Sequence, residues 1–454
     1  MNSLKNANQL KRSLRLKDLV IFGLTFMSPV AAMSLFGIIT LVSKGHSILS
    51  YLIGFVAMLF TAYSFGKMVE AYPVSGSTYT YAKRSLHPKI GFIAGWGILL
   101  DYLFLPILAF LIGATFANTL IPSIPIWAWV LIFAIPVIIV NIVGIEVVAK
   151  VNFILVTLMI LSILAFVIST INYLVTGGFN LLDANALYNP DSFSFSAVIG
   201  GAAIVTVAYL GFDAITTLAE ETNESGKKIG FSIIIACTIQ TIFFLSVTYF
   251  GIVVLGDHIE ITNPDSAFSE VLSAVSGHFI QTFITLIIIA ANVASALASQ
   301  SAASRLLYGM GRDEAVPRKF FAYLHPKYKT PIYNILLMSG IGIVGAITLS
   351  LKVVSDLLAF GGLFGFICVN LSVISHYFFK NKQKNIFSYL LVPVIGIAVC
   401  SYLLVGISPI GKIVGGAWLL IGIVFLLLKE SIEKKSKLSA SNANENLMDL
   451  TEEN

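Results

Sequence analysis

Apolar stretches of about 20 residues recur along nearly the whole chain, separated by short clusters of charged, proline or glycine residues. Stretches of that length suit helices that cross a bilayer, whereas barrel strands would alternate in polarity over shorter segments. Hydropathy and punctuation together predict twelve spans, at roughly 18–42, 48–70, 89–119, 126–144, 148–175, 196–219, 229–255, 278–308, 331–350, 353–379, 387–406 and 411–429. The first follows a basic stretch, is too long for a signal-peptide core and shows no small-residue cleavage site, so it reads as a retained helix.

The polar positions between spans are not distributed evenly. If the N-terminus is cytoplasmic, 25 of the 28 lysines and arginines fall on that side, and only Lys44, Lys352 and Lys412 fall outside. The positive-inside rule then predicts cytoplasmic N- and C-termini and a multi-pass protein of the cell membrane. Two longer outer loops, 176–195 and 256–277, carry acids but no lysine or arginine. From Ser436 the tail is rich in Ser, Asn and acids, a composition that predicts disorder. The expected organisation is a basic cytoplasmic tail (1–17), spans 1–5 (18–175), spans 6–10 (196–379), spans 11–12 (387–429) and a disordered cytoplasmic tail (430–454).

Composition narrows the function classes. Hydrophobic residues make up 57% of the chain and charged residues 11%, against about 25% charged in soluble domains. The net charge of +5 does not point to nucleic acid, because the basic residues line one membrane face. Cys237, Cys368 and Cys400 lie inside apolar runs without C-x-x-C spacing, which suggests neither disulfides nor zinc. An intramembrane enzyme would need a nucleophile with its base or a metal cluster, yet H-E-x-x-H and G-x-S-x-G are absent and the six histidines are scattered. No cofactor is implied. A sensor that binds without moving its ligand is the other rival to a transporter.

Transporters often build their sites from two interrupted helices in corresponding positions of two halves. Span 1 contains "FGLTFMSPVAAMSLFG", in which Pro29 removes a backbone donor beside Ser28 and Ala31. Span 6, five helices later, contains "TVAYLGFDAITTLAEE", in which Gly211 weakens the helix just before Asp213. Charges inside a bilayer cost roughly 2.5–3.5 kcal/mol on insertion scales and tend to face a cavity or partner. Asp101 lies about 18 Å of helix rise beyond Lys89, and Asp213 about 12 Å before Glu221. These are the two deep acids, and either could meet an organic cation or carry a proton. Glu220 follows Asp213 by seven residues, which on an α-helix places both on one face and makes it a second proton-coupling candidate. Tyr102, Tyr209 and Tyr308 could contact a cation through their rings or hydroxyls. Span 8 is crowded with small residues, from Ala294 to Ser304, which suits close helix packing and could also supply hydroxyls to sodium.

Several blocks, in order, resemble the amino acid/polyamine/organocation superfamily and in particular its putrescine importers. They are "YPVSGSTYTYAKRSLHPKIGF" (72–92), "GWGILLDYLFLP" (95–106), "GFDAITTLAEET" (211–222), "SRLLYGMGRD" (304–313) and "YLHPKYKTPIYN" (323–334), within a similarity running from about Leu14 to Leu428. The resemblance implies an all-α integral membrane protein of twelve transmembrane helices with the leucine-transporter fold: a 5+5 inverted repeat plus two C-terminal helices. It further implies a substrate site between spans 1, 3, 6 and 8, with Tyr102 and the acids of span 6 as contacts, and uptake driven by a proton or sodium gradient.

Three departures qualify that expectation. The small-residue G-x-G type turn that holds a substrate carboxylate in many amino acid permeases is "SPVAAMS" here, which argues against a plain α-amino acid. Putrescine importers are similar to "FDTFG" where this chain has "MSLFG", so Ser34 stands in place of an acid. Met159 occupies the position at which some proton-coupled relatives carry a lysine, which leaves the coupling ion open. The expected activity is import of a small organic amine, with an amino acid permease of the same fold as the alternative.

Overall fold

A backbone that crosses a bilayer must satisfy its polar groups within its own segment, so the predicted apolar runs fold as helices. The computed structural model describes residues 14–73, 77–143, 149–220, 222–256, 263–312, 314, 316–328 and 330–452, with backbone alone at Ser77, 149–152, Thr217, Glu220, Glu430 and 432–452. Most of the basic N-terminal tail, the acids Asp257 and Glu260 and Glu221 therefore lie outside the described residues. The helices are α1 (Leu16–Met27), α2 (Ala31–Val42), α3 (Ser47–Ala71), α4 (Ser77–Ser85), α5 (Pro88–Leu120), α6 (Ile126–Val143), α7 (Ala149–Gly177) and α8 (Phe195–Tyr209). After a 3-10 segment (Phe212–Glu220) follow α9 (Gly226–Leu255), α10 (Ala267–Val275), α11 (His278–Arg312), α12 (Arg318–Phe321), α13 (Ile332–Thr348), α14 (Leu351–Val373), α15 (Val392–Gly406) and α16 (Pro409–Glu452).

Among the described residues, ten helices are long and apolar enough to cross a membrane, and α1 with α2, bent by 45°, make an eleventh if the pair is one span. The apolar α13 is shorter, at 17 residues. The twelve expected spans thus correspond to ten membrane-length helices, one bent pair and one shorter helix. The tail expected to be disordered from residue 430 instead continues α16 as helix to Glu452. That stretch contains no glycine or proline to stop a helix once started.

The long helix α5 runs through the middle of the bundle and packs on α4, α6, α11, α13, α14 and α16. A second tight pair is α3 with α9, which cross at Gly66 and Gly230. A Cβ built on either glycine would come within 2.9 Å of the opposing Cα, so only glycine lets the two backbones meet. On the periphery, Ile132, Ile135 and Ile139 of α6 and Leu420, Ile421 and Leu427 of α16 are exposed. Lipid tails are as apolar as these side chains, so no protein cover is needed there. The indoles of Trp96 and Trp418 stack at 4.8 Å, and each N–H donates to the other's carbonyl at 2.8 Å, fastening α16 to α5.

Two further contacts frame the interior. The residues leading into α1 are tied to those that follow the 3-10 segment: Leu14 pairs with Thr222, whose hydroxyl donates to the Leu14 carbonyl at 2.8 Å, and the Leu16 N–H donates to Glu224. The hydrogen bond from Lys228 holds the Glu224 carboxyl below its ordinary range. Asp356 on α14 is a third buried acid beside the two read from the sequence. It pairs at 3.3 Å with Lys352, one of the three basic residues expected on the outer face.

Candidate functional site

Local chemistry breaks the first span between α1 and α2. Pro29 has no N–H to continue the helical ladder, and Ser28 adopts φ +55°, a left-handed conformation rare for a residue with a side chain. The turn leaves carbonyls facing out of the ladder. Gln240 of α9 receives them, its amide nitrogen donating to Ser28 O at 2.8 Å and Met27 O at 3.4 Å. Gln240 is fully buried, and its own amide oxygen has no hydrogen-bond partner among the described residues. The Ser28 hydroxyl meets the Met159 sulfur at 3.8 Å, so the residue that stands where some relatives have a lysine touches this break.

Gln240→Leu keeps the volume but removes the side-chain donor to both carbonyls, leaving Ser28 O with the Ala31 N–H alone. The expected result is a loss of about 1–3 kcal/mol of stability, read as a lowered thermal midpoint of the purified protein. An unchanged midpoint would show that the break does not depend on Gln240.

The second break lies where the sequence placed it. α8 stops at Tyr209, and Gly211 takes φ +112°, which an L side chain rarely adopts. Its missing Cβ leaves room for the Phe26 ring of α1, so the two breaks pack directly against each other. Beyond it the chain winds as nine residues of 3-10 helix, well above the usual 3–4, and such stretches often mark a functional hinge.

A small cavity of about 50 Å³ lies beside these breaks. Phe26, Met27 and Ser28 of the first break line it together with Ala31, Ser34 and Leu35 of α2. Leu105, Leu108, Ala109 and Ile112 come from α5, Val207, Ala208 and Leu210 from the end of α8 and the residue after it, and Ala291, Asn292 and Ser295 from α11. Four predicted spans (1, 3, 6 and 8) therefore meet there. Of the residues singled out in the sequence, Ser28 and Ala31 line the cavity, Pro29 sits in the turn between them, and Gly211 lies behind Phe26 and Leu210.

The deep acids lie just beyond the cavity wall rather than in it. Asp101 precedes Leu105 by one turn on the same face of α5, and Asp213 follows Leu210 by three residues. Both are buried. Asp101 Oδ1 has no hydrogen-bond partner among the described residues. Pro106 inside α5 adds another acceptor nearby, because its missing N–H leaves the Tyr102 carbonyl without its helical donor. Two buried carboxyls and a freed carbonyl, each a few residues from the cavity wall on α5 or span 6, are groups suited to a cation.

The remaining candidates separate from this group. Tyr209 is packing: its hydroxyl shares a 2.7 Å hydrogen bond with Thr241 of α9, and its ring packs on Phe244. Tyr102 is packed against Leu99, Ala303, Leu307 and Met338. Tyr308 is half-buried on α11, about 20 Å of helix rise from Ser295, and does not line the cavity. The expectation that Glu220 shares a face with Asp213 assumed α-helical winding. The backbone here winds as 3-10 helix, in which a position seven residues on is rotated by about 120°, and the Glu220 side chain lies outside the described residues.

Two lining or supporting residues escaped the sequence reading as site candidates, Asn292 and Gln240, while Ser295 was read only as one of several span 8 hydroxyls that could serve sodium. An amide inside an apolar run is itself a signal, since buried polar groups in membranes face partners or cavities, and "AANVAS" and "ACTIQTIFF" each contain one. Ser295 was hidden among the small residues of span 8, where the hydroxyls of Ser299 and Ser304 donate back to their own helix at 2.7 and 2.8 Å. The three cysteines are buried and free, and among the described residues no group of three or more His, Cys, Asp or Glu could hold a metal ion.

Comparison with known proteins places this architecture. The amino acid permease family matches residues 19–428. The chain is 34% identical over 425 residues to a low-affinity putrescine importer of Escherichia coli strain K12, an alignment covering 92% of this chain and 93% of the relative. It is 26% identical to a branched-chain amino acid permease of Bacillus subtilis strain 168, covering 95% of each chain. A methylthioribose transporter of the same organism is 25% identical, with 94% of this chain and 95% of the relative covered. Membrane-length helices throughout, two broken helices around one cavity and a match over nearly the whole chain lead to one conclusion: this chain is a multi-pass membrane transporter, not an enzyme, and belongs to the amino acid permease family.

Proposed function

We propose that this transporter imports a small organic amine of the putrescine or polyamine kind by alternating access, driven by a proton or sodium gradient. In this reading α1 with α2 form span 1 and α13 is span 9, giving twelve spans. Residues 18–175 and 196–379 are then the two inverted repeats, with 387–429 appended. The basic residues put both termini in the cytoplasm and the protein in the cell membrane.

The observation that supports the reading most is that Asp101, the freed Tyr102 carbonyl and Asp213 each lie three or four residues from a lining residue of a cavity where two broken helices touch. An ammonium group favours an ionised carboxylate, and a buried carboxyl without one tends to take up a proton, so a pair of carboxyls can hold an amine on one member and a proton on the other and carry both inward together. Asp213 is the amine or proton partner, Asp101 adds negative potential, and Glu220 acts nearer the surface. A relative named as a putrescine importer adds weight.

A second reading, an amino acid permease, is favoured by the relative named for branched-chain amino acids and by the largely aliphatic cavity wall. A panel of amines and α-amino acids added to the purified protein separates the two, because only a ligand that prefers the folded state raises its thermal midpoint. At 100 times its Kd a ligand adds about 2.7 kcal/mol. Amines are expected to stabilise. Stabilisation by amino acids alone would overturn the amine reading.

A further inference from the structure

The polar groups of the cavity wall are all uncharged. Ser28, Ser34, Asn292 and Ser295 face a space otherwise bounded by aliphatic side chains, Met27 and Phe26, with no Asp, Glu, Lys, Arg or His among the lining residues. The negative charges lie outside, past Leu105 and Leu210. The amide nitrogen of Asn292 already donates to Ile288 O at 2.8 Å and Ser34 Oγ at 3.4 Å, and the Ser34 hydroxyl turns back to Val30 O at 3.4 Å. Both Asn292 amide hydrogens and the Ser34 hydroxyl hydrogen are therefore engaged, so this pair offers a guest acceptor oxygens.

Resting on the amine reading above, we propose that the cavity selects a molecule with a single ammonium group and an uncharged hydrogen-bond donor at its other end, a small amino alcohol, over a diamine. With one ammonium drawn toward Asp101 and Asp213, the second ammonium of a diamine would lie among Ser34, Asn292 and aliphatic walls, away from water and without a counter-charge. Burying an unpaired charge is far more costly than burying a hydroxyl that finds an acceptor. A carboxylate placed at the Ser34–Asn292 pair fares no better, since it needs donors and that pair presents oxygens.

Three compounds with the same four-carbon chain isolate the effect: 4-amino-1-butanol, 1,4-diaminobutane and 4-aminobutanoate. The full chain in proteoliposomes is loaded with radiolabelled 4-amino-1-butanol, and the other two compete. The amino alcohol is expected to enter, with self-inhibition at about tenfold lower concentration than inhibition by either competitor. In Ser34→Asp the order of amino alcohol and diamine is expected to reverse, because the new carboxylate supplies the missing counter-charge. Equal or better competition by the diamine or the amino acid in the unmodified protein overturns the proposal, and that comparison decides even if the variant fails to fold. A winning diamine leaves the amine reading intact. If none of the three is carried while an α-amino acid is, the amine reading itself falls and the selectivity with it.

Discussion

Asp213→Asn is expected to reduce amine uptake by about tenfold or more while the protein still reaches the membrane. Asparagine preserves shape and volume, so the buried packing around the 3-10 segment is retained. What is lost is the negative charge and the capacity to take up a proton. A hydrogen bond to a charged group contributes about 1.5–3 kcal/mol, and 1.4 kcal/mol corresponds to a factor of ten. The measurement is initial uptake rate at several pH values, normalised to the amount of protein in the membrane. The variant should also lose the pH dependence that arises from Asp213, which a simple packing defect would leave in place. Near-normal flux with an unaltered pH profile would remove Asp213 from the mechanism.

The largest structural effect is expected at Gly211. Gly211→Ala places a Cβ on a backbone at φ +112°, where L residues are strained by roughly 1–2 kcal/mol. The same Cβ would overlap the Phe26 ring, and overpacking of this kind costs a further 1–3 kcal/mol. To escape, the chain must straighten span 6 or push α1 away, and either change disrupts the contact between the two breaks. A lower thermal midpoint and loss of most uptake are expected together. Combining the change with Phe26→Ala should restore the part of the stability due to the overlap but not the part due to the backbone angle. A double-mutant cycle reads that coupling directly. Gly211→Ala with ordinary stability and ordinary uptake would mean that the break is not a required feature.

Much of this arrangement was legible in the chain. Span lengths follow from the hydrocarbon thickness, and a proline or glycine acts on its own backbone wherever it stands. The breaks at Ser28–Pro29 and Gly211 could therefore be located without knowing any neighbour. The burial of Asp101 and Asp213 was equally local, since each lies many residues from the nearest polar cluster. Glu220 shows where such reasoning stops. Its relation to Asp213 depended on α-helical winding, and the tight turn after Gly211 replaced that winding with a 3-10 helix.

Pattern along a chain determines which segments cross the membrane, where their ladders are interrupted and which charges are forced inside, because these depend on residues close in sequence. Tertiary packing alone decided that the lining of the cavity is neutral, with Ser34 against Asn292, and that the acids sit one turn beyond it. It also decided that Gln240, more than 200 positions away, holds the carbonyls of the first break, and that Tyr209 turns to Thr241 instead of a guest. The orientation of a side chain on a helix that is apolar on every face is set by the neighbours it meets, and no periodicity records them.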